Sequence, residues 1–289
     1  MPAINLRKRI MRYLSSRIER RDVLRQFLQT ITIELTDSVI FGGMIRDFGL
    51  GYARSFRSDI DIVTTSNAEE IYRLIKSSNP VRNKFGGFRF SAAGRLFDIW
   101  SFSDTWAIKE GVIKGDRIED LCKTTFFTLD AAIFRLKDSS LMTAPKYEEQ
   151  ISLRILDINL VNHPFPDRVA RRAIHIATAK NLSMTPALCE FIVRSIAPRR
   201  GDVLDRQLFT RLQQHLNSSP NLNFRPVEQL PIWSSDDLPH NYSLDHPYLN
   251  KIKTMAFGYY SESYTINKSF HSENTPNSVS QQLPLDIML

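Results

Sequence analysis

Two adjacent glycines, placed directly after a short apolar segment, constrain the fold of this chain more than any other feature. Residues 38–41 (Ser-Val-Ile-Phe) predict a buried strand, and Gly42 and Gly43 end it. Two glycines let the backbone turn sharply and come close to a phosphate group. Residues 44–48 predict a helical turn, whose first N–H groups point toward the same place. The pattern therefore predicts a strand, a tight turn and a helix start that together can bind a phosphate.

An Asp-Ile-Asp triplet begins a second predicted strand. Because side chains alternate across a strand, Asp59 and Asp61 are expected on one face and the neighbouring isoleucines on the other. Two carboxylates on one face repel each other unless a cation lies between them. Mg²⁺ suits such a pair, since it prefers oxygen ligands and binds substrate phosphates through one or two carboxylates.

A third acid, Asp98, lies between Phe97 and Ile99 in a strand predicted over residues 96–101. If that strand lies beside the strand of the triplet, three carboxylates converge. Such a triad can hold two metal ions, of which one activates a hydroxyl nucleophile and both stabilise an in-line displacement at phosphorus.

The surrounding pattern predicts a small mixed α/β region followed by helices. Asn67 and Glu70 can form a capping box for a helix over residues 68–77. A turn at Ala93-Gly94 joins two predicted strands. Prolines after residue 219 exclude long helices there. The predicted segments are a basic N-terminal helix (1–37, helical over 4–35), an α/β head (38–145), a helical domain (146–217, with helices 168–180, 186–195 and 204–216) and an irregular C-terminal segment (218–289, with 271–283 disordered).

Composition and charge narrow the function further. The formal net charge is +7, and the excess of basic residues lies in residues 1–200, most densely in 7–25. Such a stretch favours nucleic acid or nucleotide phosphate as a partner, with a solvated helix face as the alternative. The two cysteines are far apart and no CxxC or HxxxH spacing occurs, so the sequence predicts neither a disulfide framework nor a zinc site. We expect no membrane span and no secretory signal. The low number of cysteines is consistent with a reducing cytoplasm.

The motifs together resemble one superfamily. Gly-Gly-Met-Ile-Arg-Asp (42–47), Asp-Ile-Asp (59–61) and the later Asp98 are similar to the head domain of the nucleotidyltransferases. The resemblance is to the bacterial poly(A) polymerases and class II CCA-adding tRNA nucleotidyltransferases, which carry GGxVRD and then a DxD strand. Residues 127–132 (Phe-Thr-Leu-Asp-Ala-Ala) resemble the end of the family's RRDFTINAL segment, and residues 171–177 fall where the family has its R-A-V-R-F-A helix.

The chain departs from the family pattern in two places. Thr-Thr-Phe at residues 124–126 replaces the family's Arg-Arg-Asp, and Asp130 replaces its Asn. The family's E-D-x-x-R helix, which reads the nucleobase, would fall at residues 166–171, where Ala170 stands in place of the Arg and Arg171 follows one step later. The choice of nucleotide and the use of tRNA are therefore open.

The resemblance implies an α+β fold, with a polymerase beta-like mixed-sheet head followed by a small helical domain. It implies transfer of a nucleoside monophosphate from an NTP to an acceptor hydroxyl at an RNA 3′ end. The expected NTP is ATP or CTP, and the expected RNA is a tRNA. Two Mg²⁺ ions, with Mn²⁺ as an alternative, would be held by Asp59, Asp61 and Asp98, the catalytic acids. The expected nucleotide-binding residues are Gly42, Gly43, Arg46, Asp47, Asp130, Asp167, Arg168, Arg171 and Arg172.

Several alternatives stay open from the sequence. The chain could be a toxin or defence effector that nucleotidylates a protein or small molecule, or a catalytically silent RNA- or nucleotide-binding protein of the same fold. Arg46 and Asp47 could form an ion pair at a helix start, and Asp98 could pair with Arg89 or Arg95. Asp130 could cap a helix, and His175 is expected to be packed in the core.

Overall fold

The computed structural model describes residues 3–15 and 19–195. The helix predicted over 204–216, the irregular segment over 218–289 and the predicted disorder at 271–283 lie outside the described residues. The chain divides into two compact units between Asn162 and His163.

The first unit is built on a mixed sheet of seven strands in the order β3-β4-β5-β2-β1-β6-β7. Its strands are β1 Val39–Phe41, β2 Ile60–Thr64, β3 Val81–Arg82, β4 Phe88–Ala92, β5 Arg95–Ser101, β6 Ala132–Arg135 and β7 Leu141–Thr143. The neighbours β2 and β5 run parallel, and the other adjacent pairs in this sheet are antiparallel. The predicted α+β class and mixed sheet are confirmed.

The described residues of the first unit also form six α-helices and a short strand that follows the last of them. They are α1 Ala3–Leu14, α2 Glu19–Glu34, α3 Gly43–Gly49, α4 Ala68–Ile75, α5 Trp106–Lys109 and α6 Tyr147–Leu153, with β8 at Ile155–Leu156. Short 3₁₀ segments lie at Lys76–Ser78, Phe102–Asp104, Ile118–Lys123 and Thr128–Asp130. The capping box predicted for α4 is confirmed, because the Asn67 side chain accepts from Glu70 N–H while the Glu70 carboxylate accepts from Asn67 N–H.

Two helices stand where the sequence predicts one over residues 4–35. The hydroxyl of Ser15 donates to the carbonyl of Met11 at 2.7 Å, a local side-chain bond that competes with helix continuation. Helix α1 packs against α3, where the ring of Tyr13 meets Phe48 edge-on with centroids 4.9 Å apart. Arg9 donates from Nη1 to the carbonyl of Phe48 at 2.7 Å.

At the centre of the sheet, the face opposite Asp61 and Asp98 is apolar. Ile40 of β1, Ile62 of β2 and Ile99 of β5 are fully buried. Burial of such side chains contributes about 1.5–3 kcal/mol each. The strands that carry the aspartates are therefore fixed by the most strongly buried part of the unit.

The second unit, as far as it is described, contains α7 Pro166–Lys180, β9 Ser183–Met184 and α8 Pro186–Ser195. The helices predicted over 168–180 and 186–195 are confirmed. Helix α7 begins with Pro166, whose fixed φ and missing N–H suit a first helical position. His175 is exposed, so its predicted burial is wrong. Across the described ranges, no helix is both long and apolar enough to cross a membrane.

Candidate active site

Asp61 and Asp98 stand side by side on the one parallel strand pair of the seven-stranded sheet. The register of β2 and β5 makes them direct partners. Register partners on parallel strands project from the same face of a sheet, with strands about 4.8 Å apart. Asp59 lies two residues before Asp61, directly ahead of β2, and alternation places it on that face as well. The structure therefore brings the three predicted acids to one face.

The predicted glycine turn lies next to Asp61. Gly42 has φ of +67°, a conformation that L residues rarely adopt, and a β-carbon there would lie 3.8 Å from Oδ2 of Asp61. Its carbonyl accepts from the N–H groups of Ile45 and Arg46 at 3.1 and 3.2 Å, which starts α3. The turn and the acids thus form one continuous surface, because Gly42 has no side chain to separate them.

Arg89 of β4 ties two of the acids together. Its Nε donates to Oδ1 of Asp98 at 2.9 Å, and its Nη2 donates to Oδ2 of Asp98 at 2.6 Å. The same Nη2 lies 3.2 Å from Oδ2 of Asp59. Burial raises the pKa of Asp59, Arg89 opposes that rise, and the charge of Asp98 adds to it. Asp98 therefore pairs with Arg89, one of the two alternatives that the sequence left open for it.

The metal site predicted for Asp59, Asp61 and Asp98 stays a prediction. Within the part of the chain that the structure describes, no three histidine, cysteine or acidic residues are grouped so that they could hold a metal ion. Both oxygens of Asp98 accept from Arg89. Asp59 and Asp61 carry carboxylate oxygens on this face, and Asp61 lies beside the glycine turn. Carboxylate oxygens fit Mg²⁺, which binds proteins through one or two carboxylates.

Arg46, Asp47 and Asp130 form a separate buried cluster. Nη1 of Arg46 donates to Oδ1 of Asp130 at 2.7 Å, and its Nε donates to Oδ1 of Asp47 at 3.1 Å. Burial lowers the pKa of Arg46, but the two carboxylates outweigh burial and raise the pKa above its ordinary value. Nη2 of Arg46 lies 3.4 Å from where a β-carbon of Gly43 would be. The guanidinium thus packs against the glycine turn, and the ion pair proposed as the alternative for Arg46 is present.

The sequence analysis named Arg89 only as a possible partner of Asp98 and missed Tyr147. Counting outward from the predicted Ala93-Gly94 turn would have selected Arg89 over Arg95, because the hairpin register pairs Arg89 with Asp98. Tyr147 has a buried hydroxyl with no hydrogen-bond partner in the described structure. Burial raises its pKa, and the charge of Asp130 adds to that rise. No sequence signal places Tyr147 there.

Some of the predicted basic residues on α7 and α1 are bonded within the protein, while others are exposed. Asp167, Arg168, Arg171 and Arg172 all lie on α7 in the second unit, and Arg168 is exposed with its guanidinium 5.0 Å from the centre of the Phe165 ring. In α1, Arg7 donates to the carbonyl of Ser139 at 2.6 Å. Part of the basic charge of the N-terminal region is therefore used within the first unit itself.

Comparison with solved structures gives the fold. One similar structure is a CCA-adding enzyme in complex with CTP, 17% identical, with a TM-score of 0.52 over 91% of this chain and 57% of that one. Another is the apo form I of a CCA-adding enzyme, 18% identical, with a TM-score of 0.50 over 72% of this chain and 49% of that one. The Thermotoga maritima CCA-adding enzyme complexed with tRNA is 17% identical, with the same TM-score of 0.50.

The fold is that of a nucleotidyltransferase head. The mixed sheet matches the head of the CCA-adding enzymes, which confirms the resemblance inferred from the motifs. The chain spans about half the length of the solved structures it matches. No protein-family model matches the sequence. A search of curated proteins also gives no match.

Proposed function

We propose that this chain is a metal-dependent nucleotidyltransferase. It moves a nucleoside monophosphate from an NTP to an acceptor hydroxyl at an RNA 3′ end, with tRNA as the first acceptor to test, and it releases pyrophosphate. The observation that carries this proposal is the placement of Asp59, Asp61 and Asp98 on one face of the sheet, with Asp61 beside the Gly42 turn. Acids next to a turn that can approach a phosphate are what phosphoryl transfer needs.

Each part of the site has a role in this reaction. Asp59, Asp61 and Asp98 would hold two divalent cations, Mg²⁺ or Mn²⁺, and Gly42 and Gly43 would admit the β- and γ-phosphates close to the backbone. Asp98 takes part in activating the attacking hydroxyl, and Arg89 sets its orientation. When bound, the cation neutralises phosphate charge and makes the hydroxyl more acidic. The buried pairs of Arg46 with Asp47 and Asp130 fix the shape of the turn.

The nucleotide and the acceptor are proposed from charge and from the solved structures. Asp167, Arg168, Arg171 and Arg172 of the helical domain predicted over 146–217 would contact the nucleotide or the RNA, since basic side chains bind phosphates. The solved structures that this chain resembles in fold include complexes with CTP and with tRNA. CTP and ATP are therefore the first nucleotides to test.

The test is incorporation of label. The protein is incubated with Mg²⁺, each labelled NTP in turn and total cellular RNA, beside the double variant Asp59→Asn/Asp61→Asn. A matched control is Asp116→Asn, since Asp116 is exposed and pairs with the exposed Lys114. We expect labelled RNA from the unmodified protein and from Asp116→Asn but not from the double variant. The size of the labelled band identifies the acceptor class. Label on protein instead of RNA would support an effector that modifies proteins.

A second candidate is a catalytically silent binding protein of the same fold. The contacts of Arg89 with Asp59 and Asp98 favour it, because they occupy oxygens that a catalytic metal would use. Absence of label on every acceptor, together with retained RNA binding by the double variant, would support this second candidate over the first.

A further inference from the structure

We propose that Arg89 and a divalent cation compete for the carboxylates of Asp59 and Asp98. In this account the metal-free protein keeps Arg89 as an internal counter-ion, and metal binding displaces the guanidinium from at least one of the two acids. The inference rests on the proposed function, because it concerns the cation that the function requires. It adds a residue that sets the metal affinity of the site.

The position of Arg89 is fixed by the fold. The β4–β5 hairpin pairs Arg89 directly with Asp98. The guanidinium meets both oxygens of Asp98, and the nitrogen at 2.6 Å from Asp98 is also 3.2 Å from Asp59. Pairs in which one guanidinium meets both carboxylate oxygens are among the strong hydrogen-bonded contacts in proteins. A guanidinium group therefore lies between the two acids, where a bridging cation would also lie.

Because the carboxylates of Asp59 and Asp98 are nearly buried, Arg89 and a cation would compete for them. The side chains of Asp59 and Asp98 are 9% and 11% exposed, so neither carboxylate can turn far into solvent. The side chain of Arg89 is 27% exposed, and its long stem allows the charged end to move outward. Two nearly buried like charges are costly without a counter-ion. Either Arg89 or a cation can supply it, and the partly exposed arginine is the partner that can leave.

A cation that binds Asp98 must take an oxygen from Arg89. Both Asp98 oxygens accept from the guanidinium, at 2.9 and 2.6 Å. Removing the guanidinium should therefore free ligands and increase the affinity for a divalent cation. Removing an arginine that touches none of the acids should leave that affinity unchanged.

The experiment measures Mn²⁺ binding to the full-length, nucleotide-free protein. Free Mn²⁺ is followed by electron paramagnetic resonance in titrations of the unmodified protein, Arg89→Met, Arg89→Lys and the control Arg73→Met. Arg73 is on α4, with a side chain that is 69% exposed. We expect Arg89→Met to bind Mn²⁺ about tenfold tighter than the unmodified protein, as expected when a charge-assisted pair no longer competes. Arg89→Lys should lie between the two, because an ammonium meets a carboxylate at one point only.

A thermal melt checks that each variant is folded. Arg89→Met without metal should melt below the unmodified protein, and Mn²⁺ should raise its melting temperature by more than it raises that of the unmodified protein. Equal or weaker Mn²⁺ binding by folded Arg89→Met would overturn the competition. If that variant does not fold, Arg89→Lys decides in the same way.

Failure of this inference is distinguishable from failure of the proposed function. Label incorporation by the unmodified protein, with no gain in Mn²⁺ affinity in either Arg89 variant, would overturn the competition and leave the nucleotidyltransferase standing. A gain in Mn²⁺ affinity in the Arg89 variants, without label on any acceptor, would support the competition and count against the nucleotidyltransferase.

Discussion

Asp61 and Asp98 are register partners on β2 and β5, the one parallel pair in the seven-stranded sheet. The two residues are far apart in sequence, yet the pairing brings their side chains to the same face. Because the same strands bury Ile62 and Ile99 completely, a small shift of either strand would disturb the core as well as the acids. The position of the carboxylates is therefore set by the core of the sheet.

Asp61→Asn should abolish nucleotide transfer while the protein stays folded. The amide has nearly the shape of the carboxylate but loses the charge that holds a cation. We expect the rate of label incorporation to fall by more than about a hundredfold, beyond the range found for residues that only support a metal ligand. Single-turnover assays with labelled NTP measure it. A variant that keeps more than a tenth of the rate would show that Asp61 is not a metal ligand.

Gly42→Ala should cost both stability and activity, and Gly94→Ala should cost stability alone. Both glycines have φ of +67°, and a β-carbon at Gly94 would meet nothing within 4 Å. Gly42 has ψ of −122°, outside the left-handed helical region, and positive-φ conformations of this kind cost an L residue about 1–3 kcal/mol. Urea denaturation should show a loss of this order in both variants. Only Gly42→Ala adds a group beside Asp61 and should raise KM for the NTP. Equal KM values in the two variants would remove Gly42 from the phosphate site.

Arg46→Met should destabilise the first unit by about 3 kcal/mol, because it leaves Asp130 buried without its partner. The double variant Arg46→Met/Asp130→Asn should recover part of that loss, since the unpaired charge is also removed. Urea denaturation of the two single variants and the double variant gives the coupling. A loss below 1 kcal/mol combined with weaker NTP binding would instead make Arg46 a phosphate ligand.

His163 should make stability depend on pH between neutral and acid conditions. Burial lowers the pKa of His163 from 6.5 to about 4, and the charge of Arg172 acts in the same direction. Its Nδ1 accepts from Phe165 N–H at 3.1 Å. The unfolded chain takes up the proton first, so stability is full above pH 6.5 and is lost as the pH falls toward 4.

The size of this effect follows from a comparison with His163→Asn, which keeps an acceptor but does not titrate. After discounting for partial exposure, we expect the unmodified protein to lose about 1 kcal/mol more than the variant over that range. Thermal melts at a series of pH values measure it. Parallel curves for the two proteins would mean that His163 is not buried in its neutral form.

Arg168→Gln should weaken acceptor RNA binding and reduce its dependence on salt. Arg168 is exposed on α7, and each phosphate contact contributes about one unit to the slope of log K against log salt. The control is Arg73→Gln on α4, outside the predicted nucleotide-binding residues. RNA binding at several salt concentrations should show a slope smaller by about one unit for Arg168→Gln alone. Identical slopes in both variants would place the RNA away from α7.

Local patterns predicted much of this structure, and long-range contacts account for what was missed. The capping box of Asn67 and Glu70 and the turn at Ala93-Gly94 are each decided by a few adjacent residues, and the sequence contained them in full. The parallel pairing of β2 with β5 could only be stated as a condition, because no local signal selects a strand's partner. His175 was expected inside because the helix face around it is apolar, yet the packing of α7 leaves it exposed.

Charged residues were the hardest to assign. Sequence shows that Arg46 follows the glycines, but its burial against Asp130 depends on a segment that lies far along the chain. The same is true of Arg7 and Arg9, whose carbonyl partners lie far along the chain. The sequence alone does not distinguish an arginine that binds a backbone carbonyl from one that binds a phosphate.

The contact between α1 and α3 changes how shortened versions of this protein should be interpreted. Arg9 donates to the last turn of α3 at 2.7 Å, and Tyr13 packs on the same turn. A chain that lacks α1 would lose positive charge. It would also lose the contacts that stabilise α3, the helix that begins at the glycines. Loss of activity on truncation would therefore reflect lost stability of the turn as much as lost affinity for RNA. Substituting Lys8 and Arg12, which are exposed on α1, separates the two effects.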